Sequence, residues 1–148
     1  MAMQMAVLGL NNDYLCGIDT RQVKTVLKYT EPEILAEKPD FTEGTINWQN
    51  QFVVVVDLNK RLSGVSTEIT KDTKIIVTQT DLGLLGLIVN DINRIVTIQE
   101  GSDIRDVPQT LFNEGLNFYS SIVRDNGELV LVIDINRILT EKEREMLI

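Results

Sequence analysis

The feature that most constrains the fold is an internal repeat. Residues of the first half recur 69 positions later, and the run from Asp57 to Leu62 recurs as Asp134 to Leu139 at an offset of 77. The matches at the first offset are Val7 with Ile76, Gly17 with Gly86, Val23 with Ile92 and Val26 with Ile95. One structural unit is therefore predicted twice, with an eight-residue insertion in the loop-like stretch from Gly101 to Gly115 of the second copy.

Each copy contains two predicted β-hairpins, because short apolar and β-branched stretches flank turn-forming residues. Asn126-Gly127 in particular is a strong signal for a type I′ hairpin turn. The predicted strand pairs are residues 5–10 with 14–19, 44–48 with 52–57, 74–80 with 84–90, and 121–124 with 129–134. Their turns fall at residues 11–13, 49–51, 81–83 and 125–127.

Four or five short strands in each copy predict a mainly β fold of two small barrels, since curling a short antiparallel set into a barrel leaves few exposed edges. The approximate division is residues 1–70 for the first barrel and 71–148 for the second barrel with a C-terminal helix, and strands exchanged between the two are compatible with the pattern. The runs Phe52 to Val56 and Leu129 to Ile133 are apolar at every position, which predicts that both strand faces are covered. One face would fill its own barrel, and the other would pack on the sister barrel or await a partner.

Two short helices are predicted. The first follows Asp57, whose carboxylate can accept hydrogen bonds from free backbone N–H groups at a helix start. The second begins at Thr140, because Thr140 and Glu143 have the spacing of a capping box. Met146 and Leu147 give this C-terminal helix an apolar face, which we expect to dock on the barrel rather than on a partner.

Composition excludes several kinds of chemistry. The chain has no histidine and a single cysteine, Cys16, so the commonest general base is missing and a zinc site of usual composition cannot be assembled. We expect no metal, no other cofactor and no enzymatic activity. Cys16 lies in a predicted strand and is expected to be an inert core residue.

Charge and hydropathy limit the partners and the location. A net charge of −8, without a local cluster of Lys or Arg among aromatic residues, argues against nucleic acid as a partner. The longest apolar runs are far shorter than the roughly 20 residues that span a bilayer, so no direct membrane insertion is expected. The N-terminus lacks the features of a secretory signal, which predicts a cytoplasmic protein.

The acidic residues offer one candidate catalytic pair, Asp57 and Asp134. The two occupy equivalent positions of the repeat, which would place them in separate barrels rather than across one cleft. A capping role is therefore the favoured interpretation. The alternative is a small-molecule carrier or a carboxylate enzyme that uses the groove between the barrels.

An ordered set of short motifs resembles the CheW-type chemotaxis coupling proteins. The motifs of the first half are Gly17-Ile18-Asp19 followed by Val23 and Val26, Pro39-x-Phe41-x-x-Gly44-x-x-Asn47, and Val55-Val56-Asp57-Leu58. In the second half, Gly86 to Ile92 and Val132 to Leu139 are similar to the closing elements of that family. The resemblance extends from about Val7 to Leu147.

The resemblance implies a single CheW-like domain of two five-stranded SH3-like barrels. It also implies a non-enzymatic adaptor that binds the regulatory domain of a CheA-type histidine kinase and the cytoplasmic tip of chemoreceptors. A domain detached from a larger signalling chain is a second interpretation of the same fold. By matching to the family, the partner-binding candidates are Val23, Thr25, Gly44, Gln49, Ile75, Ile76, Ile92 and Met146.

The chain departs from the family pattern at two positions. The family usually has Asn-Leu-Arg-Gly where this chain has Asn47-Trp48-Gln49-Asn50, so a cation is replaced by the neutral amide of Gln49. Val54 stands where the family commonly has proline. Because a neutral amide replaces charge-assisted hydrogen bonds only weakly, any partner contact at Gln49 is expected to be altered.

Overall fold

The four predicted hairpins are present in the computed structural model, which describes residues 3–36, 38–99, 101, 103–111 and 116–146. The strands are β1 (Met3–Gly9), β2 (Leu15–Asp19), β3 (Val23–Lys28), β4 (Thr42–Trp48), β5 (Gln51–Asp57), β6 (Lys74–Thr80), β7 (Gly83–Val89), β8 (Asp91–Ile98), β9 (Ile104–Arg105), β10 (Tyr119–Asp125) and β11 (Glu128–Ile133). The α-helices are α1 (Leu58–Ser63) and α2 (Glu141–Met146). Single turns of 3₁₀ helix occupy Asn11–Asp13, Thr20–Gln22, Gln109–Leu111 and Ile135–Arg137.

The tips of the β4–β5 and β10–β11 hairpins have left-handed backbone at both central residues. Gln49 and Asn50 have φ of 51° and 62°, and Asn126 and Gly127 have φ of 49° and 78°. Type I′ turns require positive φ at these two positions, because their twist matches the right-handed twist of the flanking strands. The Asn-Gly prediction is confirmed, and the equivalent tip adopts the same conformation without a glycine.

The strands form two mainly antiparallel sheets, and each sheet contains strands from both halves of the chain. The terminal barrel has the order β8-β1-β2-β11-β10-β9, and the central barrel has the order β3-β6-β7-β5-β4. The division at residue 70 therefore does not describe the sheets, since β1 and β2 lie with strands of the second copy and β6 and β7 with strands of the first. The first hairpin of each copy has been exchanged for its counterpart.

The exchange is reciprocal, because equivalent strands make the same pairs. β11 runs parallel to β2 with Leu131 opposite Cys16, and β5 runs parallel to β7 with Val54 opposite Leu85. Leu131 and Val54 are separated by the offset of 77, and Cys16 and Leu85 by the offset of 69. The duplication seen in the sequence thus describes both the fold of each copy and the way the two copies intertwine.

One of the sequence matches is wrong by a residue. Val7 pairs with Gly17, and its structural counterpart is Val77, which pairs with Gly86, rather than Ile76. The chain from Val7 to its partner Gly17 is one residue longer than the chain from Val77 to its partner Gly86, which shifts the offset of the preceding strand from 69 to 70.

The core has three layers. The terminal barrel has its own cluster around Met5 and Val130, the central barrel has one around Val53 and Val55, and a larger cluster lies between the barrels. Consecutive residues of β5 point to opposite faces, so Val53 and Val55 fill the central barrel while Val54 and Val56 join the shared cluster. The prediction that one strand face packs on the sister barrel is confirmed for this part of β5.

The prediction that both faces of the apolar runs in β5 and β11 are covered is wrong for the first residue of each run. Phe52 and Leu129 are 79% and 55% exposed. Both are equivalent positions next to a hairpin tip, where the strand projects past the packed layers. Residues farther along the strands, from Val53 and Val130 onward, are buried or half-buried.

The predicted helix starts are confirmed. Asp57 caps α1 by accepting a hydrogen bond from the Lys60 N–H. Thr140 and Glu143 form the reciprocal capping box, with Glu143 N–H to Thr140 Oγ1 at 3.2 Å and Thr140 N–H to Glu143 Oε1 at 2.8 Å. Leu147 and the side chain of Met146 lie outside the described residues, so the predicted docking of that tail stays a prediction.

Cys16 is a buried core residue, as predicted, with 2% of its surface exposed. Burial raises the pKa of its thiol to about 12, so the reactive thiolate is scarce at neutral pH. The predicted insertion between Gly101 and Gly115 carries β9 and the 3₁₀ turn Gln109–Leu111, and residues 112–115 lie outside the described residues.

Candidate protein-interaction surface

The two aspartates considered as a catalytic pair are both helix caps. The carboxylate of Asp57, 3% exposed, accepts hydrogen bonds from the backbone N–H and the hydroxyl of Thr67 at 2.9 and 2.7 Å. Asp134 accepts from the Asn136 N–H at 3.0 Å and lies 3.3 Å from Arg137. The capping interpretation is confirmed, and nothing observed favours a carboxylate enzyme.

A pair of equivalent asparagines ties each copy to the hairpin turn of a neighbouring strand pair. Asn59 Oδ1 accepts from the Asn11 N–H at 2.9 Å, and Asn136 Oδ1 accepts from the Asp81 N–H at 2.9 Å. Asn59 also donates to Thr67 and to Asn90, both at 2.7 Å. The Asn59–Thr67 bond is buried, the bonds of Asn59 to Asn11 and Asn90 are part-buried, and the Asn136–Asp81 bond is exposed. Together they hold the two barrels in one fixed arrangement.

Arg61 is a buried cation at the junction of the barrels. Its guanidinium lies 4.0 Å from the ring centre of Phe41 and 4.7 Å from that of Phe118, two residues related by the repeat. Its Nε donates to the Ile138 carbonyl at 2.7 Å, and its two terminal nitrogens donate to both oxygens of Glu143 at 3.1 and 2.6 Å. This clamp connects α1 to α2.

Three of the partner-binding candidates are buried inside the chain. Ile75 and Ile76 are 0% and 1% exposed, and they belong to the central-barrel and shared clusters. Gly44 is also buried and has φ of 136°, and a Cβ atom built on it would lie 1.9 Å from the Glu33 carbonyl oxygen. In this structure these residues shape the fold and present no surface to a partner.

The remaining candidates fall into two places. Gln49 is exposed at the β4–β5 hairpin tip, and Thr25 is half-buried on β3. Val23 and Ile92, which are equivalent in the repeat, are half-buried and pack at the margin of the shared cluster. The side chain of Met146 lies outside the described residues.

Several exposed apolar side chains were not among the sequence-derived candidates. Phe52 and Leu129 occupy equivalent places beside the β4–β5 and β10–β11 tips, and Val26 and Ile95 occupy equivalent places on the edge strands β3 and β8. The sequence did contain a signal for Phe52 and Leu129, since each lies within two residues of a predicted hairpin turn. The molecule thus presents apolar side chains at repeated positions of both barrels.

Local electrostatics at the start of the β3–β4 connection are negative. Burial raises the pKa of Tyr29 above its usual value, and the carboxylates of Glu31, Glu43 and Asp57 raise it further. No group of three or more Cys, Asp or Glu side chains in the described ranges is arranged to hold a metal ion. The described helices also include none that has the length and apolarity needed to span a membrane.

Two intertwined barrels with exposed apolar side chains at repeated positions define a β-barrel scaffold of the kind that binds other proteins. Comparison with known proteins agrees with that class. The chain belongs to the CheW-like domain family, whose model matches residues 4–143. CheW proteins are known as a family of non-enzymatic adaptors. The chain itself is a chemotaxis coupling adaptor.

Individual relatives cover most of the chain. The chemotaxis protein CheW of Bacillus subtilis (strain 168) is 29% identical over 129 residues, which cover 87% of this chain and 82% of that protein. CheW of Treponema pallidum (strain Nichols) is 23% identical over 137 residues, covering 90% and 80%. The crystal structure of the scaffolding protein TtCheW from Thermoanaerobacter tengcongensis superposes with a TM-score of 0.85 at 27% identity, covering 99% of this chain and 94% of that one.

Proposed function

We propose that this protein couples chemoreceptors to a CheA-type histidine kinase in the cytoplasm and has no catalytic activity of its own. The observation that carries the proposal is the match of 99% of the chain to a CheW scaffold at a TM-score of 0.85. The two barrels give a physical reason for this function, because equivalent backbone positions at their ends carry different exposed side chains. A protein with two such ends can contact two partners at once.

The surfaces proposed for these contacts are the exposed candidates and their neighbours. Gln49 and Phe52 lie at the tip end of the central barrel, and Leu129 lies at the equivalent end of the terminal barrel. Val23 and Ile92 are proposed to contribute at the margin between the barrels. Exposed aromatic and aliphatic side chains of this kind form the centres of protein interfaces, where most of the binding energy concentrates.

The test is calorimetric titration of the protein into the purified regulatory domain of the CheA-type kinase from the same source. We expect one-to-one binding with a dissociation constant in the micromolar range or tighter. A parallel titration uses the receptor's cytoplasmic tip. Absence of binding to both partners would refute the coupling function for this chain.

The role of the hairpin tip is tested with Gln49→Arg. Restoring a cation at the tip should change the affinity for the partner that contacts it, because a guanidinium makes charge-assisted hydrogen bonds that an amide makes only weakly. Gln51→Arg is the matched control, since it adds the same charge to an exposed residue two positions away. Equal effects of the two variants would mean that Gln49 has no specific contact.

A further inference from the structure

The central barrel has an open seam. Its sheet order places β3 and β4 at opposite edges, and the connection between them bridges the gap at one point. There Glu33 and Thr45 exchange two backbone hydrogen bonds, N–H to O, each 2.8 Å long. The glycine at position 44 permits this close approach of the connection to β4. Beyond that bridge the seam is a groove, lined by Leu27, Thr30, Glu31, Glu33, Thr45, Ile46, Asn47 and Phe52.

The edge of β4 exposes backbone hydrogen-bonding groups in this groove. Thr45 and Asn47 are paired with Val54 and Phe52 of β5 in an unbroken register. Because the N–H and C=O of Thr45 point away from β5 to reach Glu33, those of Asn47, two residues on, point the same way. The described residues of the connection, 29–36 and 38–41, make no backbone hydrogen bond to Asn47, so one donor and one acceptor of β4 face the seam. Unpaired edge groups are the template on which an extended segment adds to a sheet.

The side chains around these groups combine an apolar floor with acidic walls. Ile46 is 9% exposed and closes the floor with Leu27, whereas Phe52 at the rim is 79% exposed. The lining residues, all within the described ranges, include the carboxylates of Glu31 and Glu33 and no Lys or Arg. Both glutamates are exposed, and neither has an ion-pair partner among the described residues. Lys28, the nearest cation in sequence, does not line the groove.

We propose that this seam groove, between β3 and β4, binds a short extended segment of a partner protein in which an apolar side chain is flanked by Lys or Arg. The apolar side chain would pack on Leu27, Ile46 and Phe52, the backbone would pair with Asn47, and the cations would meet Glu31 and Glu33. The inference rests on the proposed adaptor function for the identity of the partner protein. The chemistry of the groove does not depend on it.

The direct test uses two model peptides and the isotope-labelled full chain. Acetyl-Val-Lys-Val-Lys-Val-amide is titrated into the protein, and acetyl-Val-Glu-Val-Glu-Val-amide serves as the matched peptide of opposite charge. We expect the basic peptide to shift the amide signals of Thr30, Thr45 and Asn47 and to slow hydrogen exchange at the Asn47 amide. The acidic peptide should leave these signals unchanged.

Charge variants make the test quantitative. Glu31→Gln with Glu33→Gln should weaken binding of the basic peptide roughly three- to tenfold, the range expected when two exposed ion pairs are lost. The control, Glu141→Gln with Glu145→Gln, removes the same charge from exposed positions of α2 and should bind like the wild type. Equal binding of both peptides, shifts outside the seam, or unchanged affinity in the Glu31/Glu33 variant would each overturn the proposal.

Two further outcomes separate this inference from the adaptor function. If the kinase domain and the receptor tip fail to bind while the basic peptide occupies the seam, the coupling function is refuted and the groove stands. If a partner binds with unchanged affinity to the Glu31/Glu33 variant and the peptide does not bind, the groove proposal is refuted alone. Seam signals that shift with protein concentration without peptide would show a second copy in the groove, and would also overturn the proposal.

Discussion

Replacing Arg61 with methionine should destabilise the protein substantially. Methionine retains an apolar stem between Phe41 and Phe118, but it leaves the Ile138 carbonyl and the Glu143 carboxylate without their 2.7 and 2.6 Å donors. Removing one member of a buried ion pair costs about 3–5 kcal/mol, because the other charge is left uncompensated. Since the Glu143 side chain is 19% exposed and keeps the Thr140 N–H, we expect the lower end of that range, about 3 kcal/mol.

The measurement is urea unfolding, followed by the fluorescence of Trp48, the only tryptophan. Hydrogen exchange in α2 should accelerate, because the clamp connects this helix to α1. Arg21→Met is the matched control: Arg21 also makes a two-pronged contact, with Asp19, but its side chain is 80% exposed and its loss should leave the unfolding midpoint unchanged. A loss below about 1 kcal/mol for Arg61→Met, the level of a surface pair, would refute the clamp.

Three further predictions concern the interior. Gly44→Ala should lower the free energy of unfolding by about 2 kcal/mol or more, measured in urea, because the new Cβ would meet the Glu33 carbonyl at 1.9 Å and the backbone φ is 136°. Asn59→Ala should cost about 2 kcal/mol in the same assay, since the part-buried Asn11 N–H and Asn90 Oδ1 lose their hydrogen bonds to Asn59. Burial raises the pKa of Cys16 from 9.0 to about 12, so between these pH values the folded chain keeps a proton that the unfolded chain loses. The free energy of unfolding should therefore fall as pH rises from about 9 towards 12. Urea unfolding across that range should show a smaller fall for Cys16→Ala.

Local features of this fold could be predicted from the sequence because each depends on neighbouring residues. The Asn126-Gly127 tip follows from the conformational freedom of those two residues, and the start of α2 follows from the spacing of Thr140 and Glu143. Asp57 and Asp134 were identified as caps from their place after apolar strands. In each case a few adjacent side chains determine the backbone, so one sequence contains the necessary information.

Long-range features could not be predicted in the same way. Residues 1–70 looked like one barrel because hairpins near in sequence usually pair with their neighbours, yet a duplicated chain offers every hairpin two equivalent docking sites. Which of the two sites a hairpin occupies depends on contacts with both copies, so neither copy's sequence alone determines it. The Arg61 clamp was missed for a related reason, since its partners Ile138 and Glu143 are 77 and 82 positions away. Among the partner-binding candidates, family matching could not separate exposed Gln49 from buried Ile75.

The duplication explains how one small chain can present two different surfaces. Equivalent backbone positions carry Phe52 beside Gln49 and Asn50 at one tip, and Leu129 beside Asn126 and Gly127 at the other. The interior has diverged as well, since the buried cation of α1 has no counterpart at the equivalent Ile138. The shared core and the paired asparagine bonds keep the two ends in a fixed relation. The two barrels share one backbone fold, but their exposed side chains differ. A partner that binds one end therefore need not compete with a partner that binds the other, which is the physical requirement for a coupling protein.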